Sequence, residues 1–258
     1  MKLNLYLALL LIFTLLLVSL LFLDFSLFNL SKYLNGFMHR SIYLIVLIIV
    51  LYYYNLLTVN GLYPKFRIRN VRILFWQTLL LIIIFIKQVI GYSSEFDLFW
   101  QYSLFHLSVG LFEEIVFRGI ILIVLIKFLV RSKFKIHLAL VFSSVLFGIM
   151  HIFNGSESFD DALSIAITTG IIGLFLGSLF ILCGNIIITG LLHAIINISF
   201  SKMQAVISET QSNNAGQLFS LIFITFFIGL SLYNIKKVNK KVFMGEVNLI
   251  GFSWVRQS

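Results

Sequence analysis

The sequence predicts an all-α protein, a polytopic membrane helix bundle with about eight transmembrane helices. Of its 258 residues, 60% are hydrophobic and only 11% are charged, and the mean hydropathy is +1.04. A soluble domain of this size cannot bury that much apolar surface. Apolar windows of about 20 residues recur along the chain, which is the length that a helix needs to cross a bilayer.

These windows place the predicted spans and divide the chain into three parts. We expect the spans at 3–23, 41–59, 72–91, 98–130, 137–153, 161–183, 185–203 and 217–235. Because the fourth window is too long for one straight span, we expect it to tilt or break between Ser103 and Gly110. Residues 1–97 then hold three N-terminal helices, residues 98–203 form a core, and residues 204–258 hold the last helix and a basic tail.

Charge assigns an orientation to these helices. The net charge is +9, and Lys and Arg collect in alternate loops, as they do on the cytoplasmic side of membrane proteins. This side holds Lys2, Lys65, Arg67, Arg69, Arg72, Arg131, Lys133, Lys135, Lys236, Lys237, Lys240, Lys241 and Arg256, and the other side holds Lys32, Arg40 and Lys202. We therefore expect a multi-pass protein of the cell membrane with both termini in the cytoplasm and no nucleic-acid partner. The tail after Ile235 is expected to rest on anionic lipid.

The stretch Phe112–Gly119, with the sequence FEEIVFRG, places charges inside the fourth window. Each charged group costs about 2.5–3.5 kcal/mol to insert at that depth, so such groups face a protein interior or a water-filled cavity. Glu114 and Arg118 are four residues apart and share a helix face, where they can pair. Glu113 points about 100° away and is left free for chemistry. A polar clamp that only holds helices together is the alternative interpretation.

Two later windows add further polar side chains. His151 lies one turn after Phe147 in the fifth window. His193 and Asn197 share one face of the seventh window, and both are costly to bury without a partner. Packing or hydrogen bonding between helices would explain each of these residues alone. Because three windows each supply groups suited to acid–base chemistry or oxyanion binding, one hydrolytic site inside the membrane is the better explanation.

The three motifs together resemble the CPBP family, which comprises type II CAAX prenyl endopeptidases and bacterial Abi proteins of bacteriocin processing and self-immunity. They are Glu113-Glu114-x-x-x-Arg118, Phe147-x-x-x-His151 and His193-x-x-x-Asn197, in this order within residues 98–203. The resemblance implies an intramembrane endopeptidase acting on a hydrophobic or membrane-tethered peptide or protein. The preference for Ile, Leu, Phe, Asn and Lys over Ala and Pro indicates a bacterium with a low-GC genome.

The resemblance also implies a role for each motif residue. Glu113 with His151 would activate a water molecule, and His193 with Asn197 would stabilise the oxyanion. The other motif residues would support the site: Glu114, Arg118 and Phe147. The family is commonly labelled a metalloprotease, and Glu113, His151 and His193 could supply a zinc set with an open fourth position. Because the His-Glu-x-x-His signature of zincins is absent, the expected cofactor is none or zinc, and we favour a metal-free or weakly metal-dependent site.

Two other functions fit the same residues. A non-catalytic immunity or scaffold protein would keep the polar groups for structure or binding. A transporter would use Glu113, Lys87 and the histidines as a proton path. Against transport, the polar residues cluster in one half of the chain, and no internal repeat of the kind found in many transporters is evident.

Several residues are expected to be structural. Cys183 is the single cysteine, which excludes an intramolecular disulfide and a site with several cysteine ligands. We expect it to act as a small apolar residue near a helix end. His106 either lines an access route or faces a neighbouring helix. Close helix packing is expected at a group of small residues in the sixth window: Thr168, Thr169, Gly170 and Gly173.

Overall fold

The computed structural model describes residues 30–53, 71–91, 96–129, 134–152, 158–210 and 214–243. Within these ranges the regular structure is helical and contains no strand. The elements are α1 (Lys32–Tyr53), α2 (Val71–Gly91), α3 (Phe96–Glu114), a π-helix (Ile115–Leu122), α4 (Ile123–Phe128), α5 (Lys135–His151), α6 (Phe159–Cys183), α7 (Ile186–Thr210) and α8 (Asn214–Phe243). The all-α prediction is confirmed for this part of the chain.

The set of eight transmembrane spans is not confirmed. Among the described residues, one helix, α6, is long and apolar enough by itself to cross a bilayer. Three shorter apolar helices accompany it, at Arg72–Ile83, Lys135–His151 and Ile186–Ser199. The predicted span at 3–23 and the tail beyond residue 243 lie outside the described residues. In the second predicted span, 41–59, the described part is helical and belongs to α1, which already begins at Lys32, and residues 54–59 lie outside the described residues.

Of the two expectations for the fourth window, a tilt or a break, the break between Ser103 and Gly110 is wrong, since α3 runs through this stretch without interruption. Its polar side chains bond back to their own helix, which removes their need for other partners: Ser103 Oγ donates to the Phe99 carbonyl and Ser108 Oγ to the Phe105 carbonyl, each at 2.7 Å. The irregularity falls instead at Ile115–Leu122, a π-helix directly after the two glutamates. Segments of this kind often occur at functional sites.

Glycines allow the helices around this segment to approach closely. A Cβ atom added to Gly110 of α3 would lie 2.5 Å from the Gly190 carbonyl oxygen of α7. A Cβ atom added to Gly148 of α5 would overlap the Ala166 carbonyl oxygen of α6. Backbones in direct contact of this kind are typical of helices that pack through small residues. The two crossings therefore hold α3 against α7 and α5 against α6.

These crossings also aim the polar motifs at one another. Residues three positions apart lie on the same face of a helix. The three central motif residues each follow a crossing glycine by three positions: Gly110 precedes Glu113, Gly148 precedes His151, and Gly190 precedes His193. Glu113, His151 and His193 therefore lie on the helix faces that meet at these crossings.

The connection between α6 and α7 is a tight turn that the local sequence explains. Gly184 ends α6 with a φ of 66°, a left-handed conformation that glycine adopts without steric cost. Asn185 then caps α7, because its Oδ1 accepts the backbone N–H groups of Ile187 at 3.0 Å and Ile188 at 3.1 Å. Cys183, the last residue of α6, is buried, as expected for a small apolar residue near a helix end.

The small residues predicted to pack in α6 lie at helix contacts in two cases. A Cβ atom on Gly170 would be 3.4 Å from the Ser144 carbonyl oxygen of α5, and one on Gly173 would be 3.1 Å from Phe147 Cδ1. Thr169 instead returns its hydroxyl to its own helix, donating to the Ile165 carbonyl at 2.7 Å.

The core around the π-helix is apolar, with Ile115 and Phe117 among its buried members.

Candidate active site

Glu114 and Arg118 form a buried ion pair at the junction of α3 and the π-helix. Arg118 Nη1 lies 3.1 Å from Glu114 Oε1, and the two side chains are 1% and 0% exposed. Arg118 Nη2 donates to the Gly173 carbonyl of α6 at 2.9 Å, and its guanidinium carbon lies 4.6 Å from the centre of the Phe147 ring. The predicted pairing is present. The Arg118 side chain also connects the π-helix with α5, through Phe147, and with α6, through Gly173.

Glu114 has a second partner that sequence reasoning missed. His193 Nδ1 of α7 lies 3.1 Å from the same oxygen, Glu114 Oε1. An ionised carboxylate can only accept a hydrogen bond, so this contact places the proton of a neutral His193 on Nδ1. The Nε2 atom of His193 is then an acceptor. This tautomer is inferred from the hydrogen-bond partner.

The same reasoning fixes the tautomer of His151. Its Nδ1 lies 2.8 Å from the carbonyl oxygen of Phe147, one turn earlier in α5. Because a carbonyl oxygen only accepts, Nδ1 carries the proton and the Nε2 atom of a neutral His151 is an acceptor. Both imidazoles therefore have Nδ1 fixed by a neighbour and Nε2 available for chemistry.

Both available nitrogen atoms converge on Glu113. Glu113 Oε2 lies 3.6 Å from His151 Nε2 and 3.7 Å from His193 Nε2. These separations are too long for direct hydrogen bonds. Within the described part of the chain, Glu113 Oε2 is also buried without a hydrogen-bond partner. The three motifs thus bring three acceptor atoms, from α3, α5 and α7, to one point.

Exposure differs sharply across this group. Glu113 and His151 are 19% and 16% exposed, whereas His193 is 2% and Glu114 is 0% exposed. Glu113 and His151 therefore form the more exposed side of the group, although the Glu113 Oε2 atom is itself buried. Glu114, His193 and Arg118 form its buried back.

Phe147 lies at the centre of the site. Its ring centre is 4.5 Å from that of His151 and 5.6 Å from that of His193. The Arg118 guanidinium rests on the same ring, so Phe147 packs against both imidazoles and against the arginine of the ion pair. This placement agrees with a supporting role for an apolar residue that carries no chemistry itself.

Asn197 lies on α7, one turn beyond His193, with a half-buried side chain. Among the described residues, no hydrogen bond joins it to Glu113, His151 or His193. Its predicted role in binding the oxyanion remains a prediction.

The donor types at the convergence point suit zinc, which takes imidazole nitrogen and carboxylate oxygen. Hydrogen bonding of each Nδ1 to an acceptor is also usual for zinc-bound histidine. Over the described ranges, however, no group of three or more His, Cys, Asp or Glu side chains is arranged to hold a metal ion. As placed, Glu113, His151 and His193 do not form a finished metal site.

Arg40 is a site neighbour that sequence reasoning assigned to the surface. Because α1 begins at Lys32, Arg40 lies inside a helix, half-buried, with its guanidinium carbon 4.6 Å from the centre of the Phe105 ring. Its positive charge acts on Glu113. The sequence feature that could have indicated this position is Gly36, one turn before Arg40. A Cβ atom on Gly36 would lie 2.5 Å from Phe105 Cε2, so only a glycine leaves room for the Phe105 ring that contacts Arg40.

His106 lies in the same neighbourhood, on α3. Its ring centre is 4.3 Å from that of Tyr102 and 5.0 Å from that of Phe105, and it interacts electrostatically with His193 and Arg40. Both rings belong to its own helix, so whether His106 lines an access route or faces a neighbouring helix remains a prediction.

The comparison with known families gives one result for this region. The family model described as "Type II CAAX prenyl endopeptidase Rce1-like" matches residues 95–199. Neither the curated proteins nor the solved structures give a match. The Rce1-like family is a family of membrane proteases, and the matched segment contains all three motifs. The Rce1-like domain at residues 95–199 therefore supports the assignment of this chain to the CPBP family of intramembrane proteases.

Proposed function

We propose that this chain is an intramembrane endopeptidase that hydrolyses a peptide bond in a hydrophobic or membrane-tethered peptide or protein. The observation that carries the proposal is the convergence of His151 Nε2 and His193 Nε2 on Glu113 Oε2, at 3.6 and 3.7 Å. When both imidazoles are neutral, three acceptor atoms face one another at these distances, and a proton donor is needed between them because lone pairs facing one another repel. A water molecule meets this need and is also the nucleophile of hydrolysis.

Glu113 and His151 act on this water. One hydrogen of the water is donated to the Glu113 carboxylate and the other to His151 Nε2. As the water oxygen bonds to the substrate carbonyl carbon, Glu113 takes its proton, and the carbonyl electron pair moves to the oxygen atom. The C–N bond then breaks, and Glu113 returns the proton to the departing amine. A base must lie within hydrogen-bond reach of the proton that it removes, and the partial exposure of Glu113 and His151 admits both water and substrate.

His193 and Asn197 stabilise the tetrahedral oxyanion. His193 donates from Nε2 to the oxyanion when that nitrogen carries a proton, since its Nδ1–H is already directed at Glu114. Donors held in place in a low-dielectric site lower the barrier without reorganising during the reaction.

Zinc is the second possible activator. If present, it would be held by Glu113, His151 and His193 and would supply a more acidic bound water. The steps assigned to Glu113, His151, His193 and Asn197 use protein groups alone. Removal of metal with a chelator distinguishes the two versions of the reaction. The remaining parts of the proposal follow the sequence: a multi-pass protein of a bacterial membrane, both termini cytoplasmic, acting on a secreted peptide such as a bacteriocin.

The test is cleavage of a library of hydrophobic and lipidated peptides by the purified full chain in liposomes. We expect Glu113→Gln and His151→Ala to lower kcat by about 10²–10⁴-fold, the usual contribution of a general acid–base. Matched controls are Asp160→Asn, an exposed carboxylate, and His137→Ala, at the opposite end of α5. Both should cleave like the wild type.

Two outcomes would overturn the proposal. The first is a Glu113→Gln variant that cleaves as fast as the wild type. The second is a wild type that cleaves no peptide while an immunity phenotype in cells survives Glu113→Gln. This second result would favour the non-catalytic scaffold.

A further inference from the structure

A separate pocket opens between α2 and α8, lined by residues that take no part in the active site. Its volume is about 590 Å³. Cationic Arg72 and Lys237 and aromatic Trp76 and Tyr233 line it, together with Leu230 and Gln77. No Asp or Glu is among its lining residues. The pocket therefore has a positive electrostatic character.

The open side of this pocket has the composition of a membrane interface. Trp76 and Tyr233 are 60% and 46% exposed, and both residue types concentrate where hydrocarbon meets head groups. Lys237 Nζ lies 5.3 Å from the centre of the Tyr233 ring. Arg72 and Lys237 also belong to the segments that the Lys/Arg bias assigns to the cytoplasmic side.

The floor of the pocket is fixed by a buried hydrogen-bond chain across three helices. Gln77 Nε2 of α2 donates to Asn234 Oδ1 of α8 at 2.8 Å. Asn234 Nδ2 donates to Ser178 Oγ of α6 at 3.2 Å. A buried polar network of this kind restricts the side chains that form it, so the spacing of α2 and α8 beneath the two cations is set in advance.

A shallow apolar depression of about 500 Å³, lined by α8 alone and called the groove below, continues from the pocket. It shares Leu230 with the pocket and runs past Gly229 and Phe226 to Leu221. A Cβ atom added to Gly229 would meet nothing within 4 Å, so the groove is open there. The pocket and groove together, from Lys237 to Leu221, cover about 24 Å of helix. The groove from Leu230 to Leu221 accounts for about 14 Å, close to one leaflet of the hydrocarbon core, about 15 Å.

We propose that the α2–α8 pocket binds an anionic phospholipid. Its phosphate lies between Arg72 and Lys237, its glycerol region lies against Trp76 and Tyr233, and one acyl chain follows the groove over Gly229. Cations at the cytoplasmic membrane surface attract anionic lipid, and here they stand at the head of an apolar groove long enough for a chain. The proposal does not depend on the catalytic assignment, because the pocket shares no residue with the site around Glu113.

The test uses Trp76 as the reporter. The chain has three tryptophans, and a Trp100→Phe, Trp254→Phe background leaves only Trp76 to fluoresce. The full chain is placed in phosphatidylcholine nanodiscs that contain increasing amounts of brominated phosphatidylglycerol, which quenches a tryptophan that it touches. We expect half-maximal quenching at a several-fold lower mole fraction than with brominated phosphatidylcholine.

Charge variants identify the head-group site. Arg72→Gln and Lys237→Gln should each weaken the apparent affinity by about fivefold, the effect of removing one cation near an anionic surface. Lys236→Gln is the matched control, because Lys236 is an exposed neighbour outside the lining of the pocket. It should leave quenching unchanged. Soluble glycerol phosphate should fail to restore the unquenched signal if a lipid, and not free phosphate, is the ligand.

A groove variant tests the acyl chain. Gly229→Phe places a ring in the groove at a position where an added Cβ atom meets nothing within 4 Å, and it should lower quenching, whereas Gly229→Ala should not. Circular dichroism and gel filtration check that each variant is folded. Equal quenching by brominated phosphatidylcholine, or an equal effect of Lys236→Gln and Lys237→Gln, would overturn the proposal. Neither result bears on cleavage at Glu113, so the two proposals fail independently.

Discussion

His193 Nδ1 on α7 and Glu114 Oε1 on α3 lie 3.1 Å apart, and the same oxygen faces Arg118 Nη1, also at 3.1 Å. A single carboxylate oxygen therefore holds a histidine in one tautomer and neutralises a buried arginine. Glu113, next to it in sequence, points instead toward two imidazole Nε2 atoms and partly toward solvent. The two adjacent glutamates have different surroundings, and this difference yields separable predictions for stability and activity.

The first prediction concerns Glu114. Glu114→Gln leaves Arg118 buried without a counter-ion, and breaking a buried pair in this way costs about 3–5 kcal/mol. We expect a much lower free energy of unfolding in detergent titrations, together with lost cleavage. Glu113→Gln is the comparison, because in the described part of the chain the ion-pair partners of Glu113 are His151 and His193 and not an arginine, so this variant should lose activity at nearly unchanged stability. Equal destabilisation by both substitutions would contradict this division of roles.

A second prediction concerns Arg118. Lysine keeps the charge but not the planar group that reaches Glu114, the Gly173 carbonyl and the Phe147 ring together. We expect Arg118→Lys to lower the free energy of unfolding by about 1.5–3 kcal/mol, the usual value of a charged hydrogen bond. Thermal unfolding in detergent measures it. Arg72→Lys, at an exposed position, serves as the control, and an Arg118→Lys variant as stable as that control would refute the assignment.

The third prediction concerns the crossing glycines. In Gly110→Ala the new Cβ would press on the Gly190 carbonyl oxygen. We expect a loss of about 1–3 kcal/mol from overpacking, and a fall of about 100-fold in cleavage because a shift of 1 Å displaces Glu113 from His193. Gly229→Ala meets nothing within 4 Å and should change neither quantity. If Gly110→Ala cleaves at the rate of Gly229→Ala, the crossing does not position the site.

A fourth prediction separates Asn197 from His193. If Asn197 donates to the oxyanion, Asn197→Ala should lower kcat by about 10²–10³-fold, as for loss of one oxyanion donor, with KM and thermal stability almost unchanged. His193→Ala should also lower stability, because it leaves a bond to buried Glu114 unmade. Steady-state kinetics and thermal unfolding of both variants provide the measurement. Normal kcat in Asn197→Ala would remove this residue from the mechanism.

The fifth prediction concerns the metal. In the metal-free version, dialysis against a chelator leaves cleavage unchanged, and elemental analysis finds less than one zinc ion per chain. If cleavage is lost on chelation and returns with added zinc, the metal-bound version replaces it. Glu113→Gln, His151→Ala and His193→Ala should then each lower the zinc content, which distinguishes ligands from other essential residues.

Much of the candidate site could be predicted because placing charged side chains in an apolar segment costs free energy. A glutamate pair and an arginine inside an apolar window have few explanations, and the i, i+4 spacing of Glu114 and Arg118 already implied their pairing. The break predicted near Gly110 was wrong for a local reason: a serine that returns its hydroxyl to its own helix does not interrupt it. Nothing in the sequence pattern distinguished this stretch from the π-helix that follows.

The position of Arg40 inside a helix and near Glu113 could not be predicted from hydropathy. Its position before an apolar run suggested a loop, but helix α1 begins earlier and carries it to Phe105 and toward Glu113. The start of a helix depends on what it packs against as well as on its own residues. Tertiary contacts with α3 therefore placed this arginine beside the site.

By itself the sequence determined the helical class, the apolar character and the three motifs, because periodicity and the cost of inserting charge are local properties of the chain. Only the tertiary structure decided that one oxygen of Glu114 serves both Arg118 and His193, and that two Nε2 atoms converge on Glu113. Those relations depend on helix crossings at Gly110, Gly148 and Gly190. A crossing is set by the fit of two surfaces distant in sequence, which no local pattern encodes.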